Sequence, residues 1–128
     1  MDKWELQPLV AIGNIKFGMK REQVHQLFDK KYAAFKKSTL SKNTTDDYGK
    51  FHVFYTENNE VEAVEIFEGI EVLLNGKKIY PVKANEIEAL TGCVKDEDGY
   101  MCVEKSIGFY APDEKVESIL VGEQGYYE

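Results

Sequence analysis

One stretch of this chain matches another, and that match limits what the chain can fold into. Val53–Ile66 aligns with Gly108–Val121 at a constant offset of 55 residues, without a gap. The pairs Phe54-Tyr55 and Phe109-Tyr110 are identical, as are Val61-Glu62 and Val116-Glu117. Ala63/Ser118, Val64/Ile119 and Ile66/Val121 agree in kind. Each copy follows a helical pattern, 20–32 for the first and 86–91 for the second. A helix with one hairpin cannot bury its apolar face alone, but two such units side by side can. The expected fold is therefore α+β: a single domain over 1–128, an antiparallel sheet of hairpins with two helices packed on one face. Tandem duplication would divide it into units of about 14–82 and 83–128. The competing explanation is that any two amphipathic hairpins share this pattern.

The local signals agree with that layout. Leu9 to Phe17 reads as an extended segment with a turn at Gly13-Asn14. Val24, Leu27, Phe28 and Tyr32 share one helical face, which predicts a helix over 20–32 with that stripe in the core. A polar stretch, 36–50, reads as a loop with a short edge strand near Thr39-Leu40. Phe51–Thr56 with Val61–Phe67, and Ile70–Leu74 with Lys77–Val82 across Asn75-Gly76, read as hairpins. A third is expected from Cys93 to Val103, and a fourth from Ile107–Tyr110 with Val116–Val121. Between them, Asn85 caps a second helix carrying Ile87 and Leu90, closed by Gly92. The tail, with Tyr126 and Tyr127, is expected to add an edge contact.

Charge narrows the partners. Sixteen basic against 23 acidic side chains leave a net charge of −7, which argues against binding nucleic acid or anionic membranes. It suits a cationic partner, whose encounter the field would speed. A solubility role alone would give the same number. The start, Met1-Asp2-Lys3-Trp4-Glu5, lacks the basic and apolar runs of a signal peptide, so a cytoplasmic location is expected. Cys93 and Cys102 are then expected as two reduced core thiols, although a hairpin would set them opposite one another for a disulfide.

Catalytic motifs are missing. The chain has no nucleophile elbow, P-loop or dinucleotide fingerprint. Asp96-Glu97-Asp98-Gly99 fails as a calcium loop, because Val94 and Lys105 would fall at ligand positions. No metal ligands, cofactor or catalytic residues are assigned, and the chain reads as non-enzymatic. His25 reads as a solvated helix residue. His52, beside Phe54 and the acids Asp46-Asp47, is the better functional candidate. Glu62, Val64, Ile66 and Glu68 alternate, which puts acids and apolar residues on one strand face. Tyr48, Tyr100, Tyr126 and Tyr127 lie at turns or the tail and suit an exposed contact set.

Two resemblances follow. Ile15–Val24, with Gly18-Met19 and Gln23-Val24, is similar to the G-M-[ST]-x-x-[EQ]-V helix start of small lipoprotein and inhibitor domains of the β-lactamase-inhibitor-protein-like type. Lys20 stands where that motif has Ser or Thr. Those domains have tandem helix-plus-sheet repeats. Asp46-Asp47-Tyr48-Gly49, Phe51–Tyr55, Asn58–Glu65 and Gly125-Tyr126-Tyr127 resemble small cytoplasmic immunity proteins of bacterial polymorphic or contact-dependent toxin systems. That resemblance implies a protein that binds and blocks a basic toxin domain. The expected contacts are Asp46, Asp47, Tyr48, Glu62, Glu65, Asp96, Glu97 and Asp98. The alternatives are a small-ligand module lined by His52, Phe54 and Ile66, a hydrolase using His52 with Asp46 or Asp47, and a homodimeric accessory protein.

Overall fold

A computed structural model describes residues 2–29, 32–36 and 43–128. The chain opens with β1 (Asp2–Gln7), β2 (Ala11–Ile12) and β3 (Ile15–Lys16), then a short helix, α1 (Arg21–Leu27). β4 (Ala33–Phe35), β5 (Thr45–Asp47), β6 (Phe51–Tyr55), β7 (Val61–Ile66), β8 (Ile70–Leu74) and β9 (Lys77–Tyr80) follow. A 3₁₀ turn, Ala84–Glu86, leads into α2 (Ile87–Thr91). The chain then forms β10 (Val94–Lys95), β11 (Gly99–Cys102), β12 (Ile107–Tyr110) and β13 (Ser118–Gly122).

The strands make two sheets. The larger runs β10-β11-β12-β13-β7-β6-β5-β4 and is antiparallel throughout. The smaller runs β3-β2-β1-β8-β9, and in it β1 lies parallel to β8. One apolar core joins them: Leu6, Ile12, Val72 and Ile79 of the small sheet share it with Val53, Val64, Ile107 and Ile119 of the large one. The fold is α+β, as expected, with two short α-helices among the described residues. The five-stranded sheet on the core side was not expected. Asp2–Gln7 alternates charged residues with Trp4 and Leu6, a half-buried strand pattern. The Trp4 ring packs 4.9 Å from Phe51, across the core.

The repeat has a geometric counterpart at the centre of the large sheet. β7 pairs with β13 in the register Val64↔Val121, Glu65↔Leu120 and Ile66↔Ile119. Moving each residue by the 55-residue offset turns Val64↔Val121 into Ile119↔Ile66, so the ladder maps onto itself about a local two-fold at Glu65/Leu120. The first strands break the ungapped alignment. Val53 pairs with Val64, whereas Phe109 pairs with Ile119, so Phe109 rather than Gly108 takes the place of Val53. A one-residue slip changes face: Phe109 is in the core, and Phe54 lies on the opposite face from Phe51 and Val53. The connections differ too, five residues between Tyr55 and Val61 and seven between Tyr110 and Ser118.

A bulge also corrects the strand reading. Phe54 pairs with Ala63 but Tyr55 with Val61, so Glu62 is the extra residue in β7. Val61, Val64 and Ile66 are all in the core, and Glu62 does not share their face.

The first helix is shorter than its pattern, and the second continues from the 3₁₀ turn, so Asn85 lies inside that turn and does not cap α2. In α1 Val24 is fully buried, whereas Leu27 is 42% exposed. The helix ends at Phe28, and Asp29 turns left-handed (φ 54°). Gln23 Oε1 accepts the Lys20 N–H at 3.0 Å, in place of a Ser or Thr cap. α2 ends where expected, on Gly92 with φ 79°. Asn75 and Gly76 both have positive φ, which suits the tight β8–β9 turn. Cys93 and Cys102 are buried and joined as a disulfide, with Cα atoms 4.5 Å apart, not two free thiols. The proposed edge strand near Thr39-Leu40 lies outside the described residues.

Gly99 sits opposite Tyr110, where an added Cβ would fall onto the Phe109 carbonyl. Gly99→Ala must therefore part β11 from β12. We expect a loss at or above the upper end of about 1–3 kcal/mol, read from the urea unfolding midpoint.

Candidate functional site

Two polar constellations stand out, one inside the fold and one on its outer face. The inner one centres on Asp46. Register places Asp46 opposite Val53, so its side chain points to the core side of the large sheet, where it is fully buried. α1 crosses there, with Arg21 and His25 one turn apart on one face. Arg21 Nη2 donates to Asp46 Oδ1 at 2.6 Å, and Tyr55 Oη donates to Oδ2 at 2.7 Å. His25 Nε2 lies 2.6 Å from Oδ2, within hydrogen-bond distance. The Arg21 guanidinium also stands 4.6 Å over the Tyr55 ring and donates to Thr44 Oγ1 and Asn43 Oδ1. His25 stacks on Tyr32 at 4.0 Å. Burial, then the bond to Asp46, holds the Tyr55 phenol above the ordinary tyrosine range. This network ties α1 to β5 and β6.

The outer face is that of the large sheet turned away from the core. One cross-strand row runs Met101, Gly108, Leu120, Glu65, His52, Asp47 and Ala33. Glu65 lies at its centre, and Ser118 Oγ donates to Glu65 Oε2 at 2.7 Å. At one end, His52 sits among Phe67 (4.6 Å), Phe35 (5.1 Å) and Phe54 (6.3 Å), with Nε2 3.4 Å from Asp47 Oδ1. At the other end the tail folds over the sheet. A Cβ on Gly122 would lie 2.7 Å from the Tyr126 ring, and one on Gly108 would lie 2.5 Å from Tyr127 Oη. These glycines are therefore seats for the two rings. The expected edge contact of the tail is corrected accordingly: it packs on the face.

A groove of about 270 Å³ opens beside Tyr127. Glu65, Ser118, Leu120 and Met101 of the sheet line it, together with Tyr110 and the turn residues Asp96 and Asp98. Neighbouring phenols register its negative field. Tyr126 is pushed up to about 12, by burial first and then by Glu62 and Glu65. Tyr127 is pushed above the tyrosine range by burial, Tyr126, Glu65 and Asp96. Nearby Glu123 is raised by burial, Glu62 and Glu60.

The predicted contacts separate into groups. Glu65, Asp96 and Asp98 meet in the groove, while Glu97 lines a neighbouring, larger and more enclosed cavity with Lys83 and Lys95. Glu62 is half-buried near the same acidic patch. Asp47 is on the outer face beside His52. Asp46 is corrected: with no exposed surface, it cannot touch a partner. Tyr48 is half-buried, packed against the core. It stacks 4.9 Å from Phe51, packs 5.1 Å from Phe28, and its buried hydroxyl has no hydrogen-bond partner among the described residues. His25, read as solvated, belongs to the Asp46 network. Ile66 faces the core, opposite His52 and Phe54, so these three cannot line one pocket. A His52–Asp46 pairing fails because the two lie on opposite faces.

Among the described residues there is no group of three or more His, Cys, Asp or Glu placed to hold a metal ion. No described helix is long and apolar enough to cross a membrane. No family model, curated protein or solved structure matches the chain. Geometry alone therefore defines the site: an acidic, tyrosine-walled groove on an otherwise open sheet face.

Removing the Asp46 carboxylate leaves Arg21 without its ion-pair partner. Asp46→Ala should cost about 3 kcal/mol or more, and Asp47→Ala less than about 0.5 kcal/mol, compared by chemical denaturation. Tyr80, held at about 12 by burial and by Glu68 and Glu65, and Tyr126 keep their protons in the fold beyond the unfolded value. Stability from these phenols is full below about pH 10. It should fall as pH rises toward 12. Tyrosinate absorbance and loss of near-ultraviolet dichroism should then rise together.

Proposed function

We propose that this chain is a protein-binding inhibitor, an immunity protein that blocks a cationic toxin domain without catalysis of its own. The observation that carries the reading is the groove, where the carboxylates of Glu65 on β7 and of Asp96 and Asp98 in the β10–β11 turn converge beside Tyr110 and Tyr127 on an open sheet face. An acidic field of this kind speeds encounter with a basic partner, and tyrosines supply contact area at low entropic cost. Glu65, Asp96 and Asp98 form the centre of the contact. Asp47 with His52, and Glu62, extend it, and Glu97 lies at its margin. Asp46 acts from inside by holding β5, the strand that presents Asp47.

The test is co-expression with the products of the genes flanking its own, followed by purification and a cell-survival assay. Capture of a basic toxin domain, and survival only when this chain is present, is the expected result. The double variant Glu65→Lys/Asp98→Lys should slow association roughly tenfold or more at low salt, with far-ultraviolet dichroism unchanged. Recovery of the chain alone, or as a homodimer by light scattering, would count against the proposal. So would an unaltered association rate.

A further inference from the structure

The groove beside Tyr127 is shallow and open to solvent, but it differs from a purely acidic patch: apolar and aromatic side chains line it together with the carboxylates. We propose that it seats one lysine or arginine side chain of a protein partner, with Glu65 as the counter-charge. That the occupant belongs to a protein rests on the inhibitor reading above. The chemistry of the occupant rests on the lining.

Long basic side chains are amphipathic, with an apolar stem and a charged head. The groove is divided in the same way. Leu120 and Met101 supply apolar surface, and Glu65, Asp96 and Asp98 supply negative charge. Tyr110 and Tyr127 add aromatic surface, to which a cation is attracted. The bond from Ser118 Oγ orients the Glu65 carboxylate, so little freedom is lost when a cation arrives.

Other occupants fit less well. A phosphate or carboxylate would meet like charge. A neutral apolar group would cover Glu65 and give its charge no partner. Small-molecule sites span about 300–1,000 Å³, and the groove, at about 270 Å³, falls below that range. The walls are also fixed. Tyr127 occupies the space above Gly108 and Tyr126 the space above Gly122. Ser106 Oγ anchors the base of the tail by donating to the Glu123 carbonyl at 2.8 Å. The groove is thus formed before any partner binds.

The experiment titrates the isotope-labelled full chain with N-acetyl-arginine amide and N-acetyl-lysine amide. N-acetyl-citrulline amide, of nearly the same shape and without charge, is the control. Saturable amide shifts centred on Glu65, Ser118, Leu120, Tyr110 and Tyr127 are expected with the cationic probes and not with citrulline. Glu65→Gln should weaken the cationic probes roughly fivefold or more, while Asp113→Asn, at an exposed acid in the β12–β13 connection, should not. Tyr110→Ala, at an exposed side chain, provides a second variant if Glu65→Gln unfolds. Shifts spread over every exposed carboxylate, equal binding of citrulline, or no effect of either groove variant would overturn the proposal. The probes need no toxin. Normal probe binding with no toxin partner removes the inhibitor reading, and a toxin bound with the groove silent removes only the seat.

Discussion

The pairing of β7 with β13 makes one molecule of two hairpins. Each hairpin alone would leave an edge strand unpaired and an apolar face in water. Joined at Val64↔Val121 and Ile66↔Ile119, they form the middle of an eight-stranded sheet, and those four side chains enter a common core. The other elements are arranged around that ladder. The small sheet and the helices cover one face, and the tail rings sit on two glycines of the other. Glu65, the central acid of the open face, occupies the middle of the joining ladder.

The Asp46 network has a different role. α1 is seven residues long and buries Val24 fully, too little apolar surface to fix its orientation. Directional bonds from Arg21, His25 and Tyr55 to one carboxylate supply that orientation. Arg21 also reaches Asn43 and Thr44, so the same side chain positions the entry to β5. An apolar contact tolerates sliding, whereas a shared carboxylate does not.

Features set by neighbouring residues were legible in the sequence. Asn75-Gly76 gave the β8–β9 turn, Gly92 the end of α2, and the spacing of Cys93 and Cys102 their opposition across β10–β11. The groove acids Glu65, Asp96 and Asp98 were also in view, because turn and strand patterns place them on the surface. Features set by distant partners were not. The parallel pairing of β1 with β8 joins segments more than 60 residues apart and leaves no local signature. Asp46 looked like a surface acid beside Asp47, since alternation does not show which face is buried. His25 looked solvated for the same reason. The bulge at Glu62 reversed a parity argument that would have held in a regular strand. The seats for Tyr126 and Tyr127 did leave a trace: Gly108 and Gly122 stand in strands, where glycine signals close approach by another group.

The local two-fold at Glu65/Leu120 has a consequence for the chemistry of this face. In a true two-fold dimer of hairpins, the residue on the axis meets its own copy, so an acid there faces an acid. Linking both hairpins in one chain removes that restriction. The two axial positions can differ, and here one is a carboxylate and the other a leucine. Charge and grease therefore lie side by side at a point where a symmetric assembly could offer only one or the other.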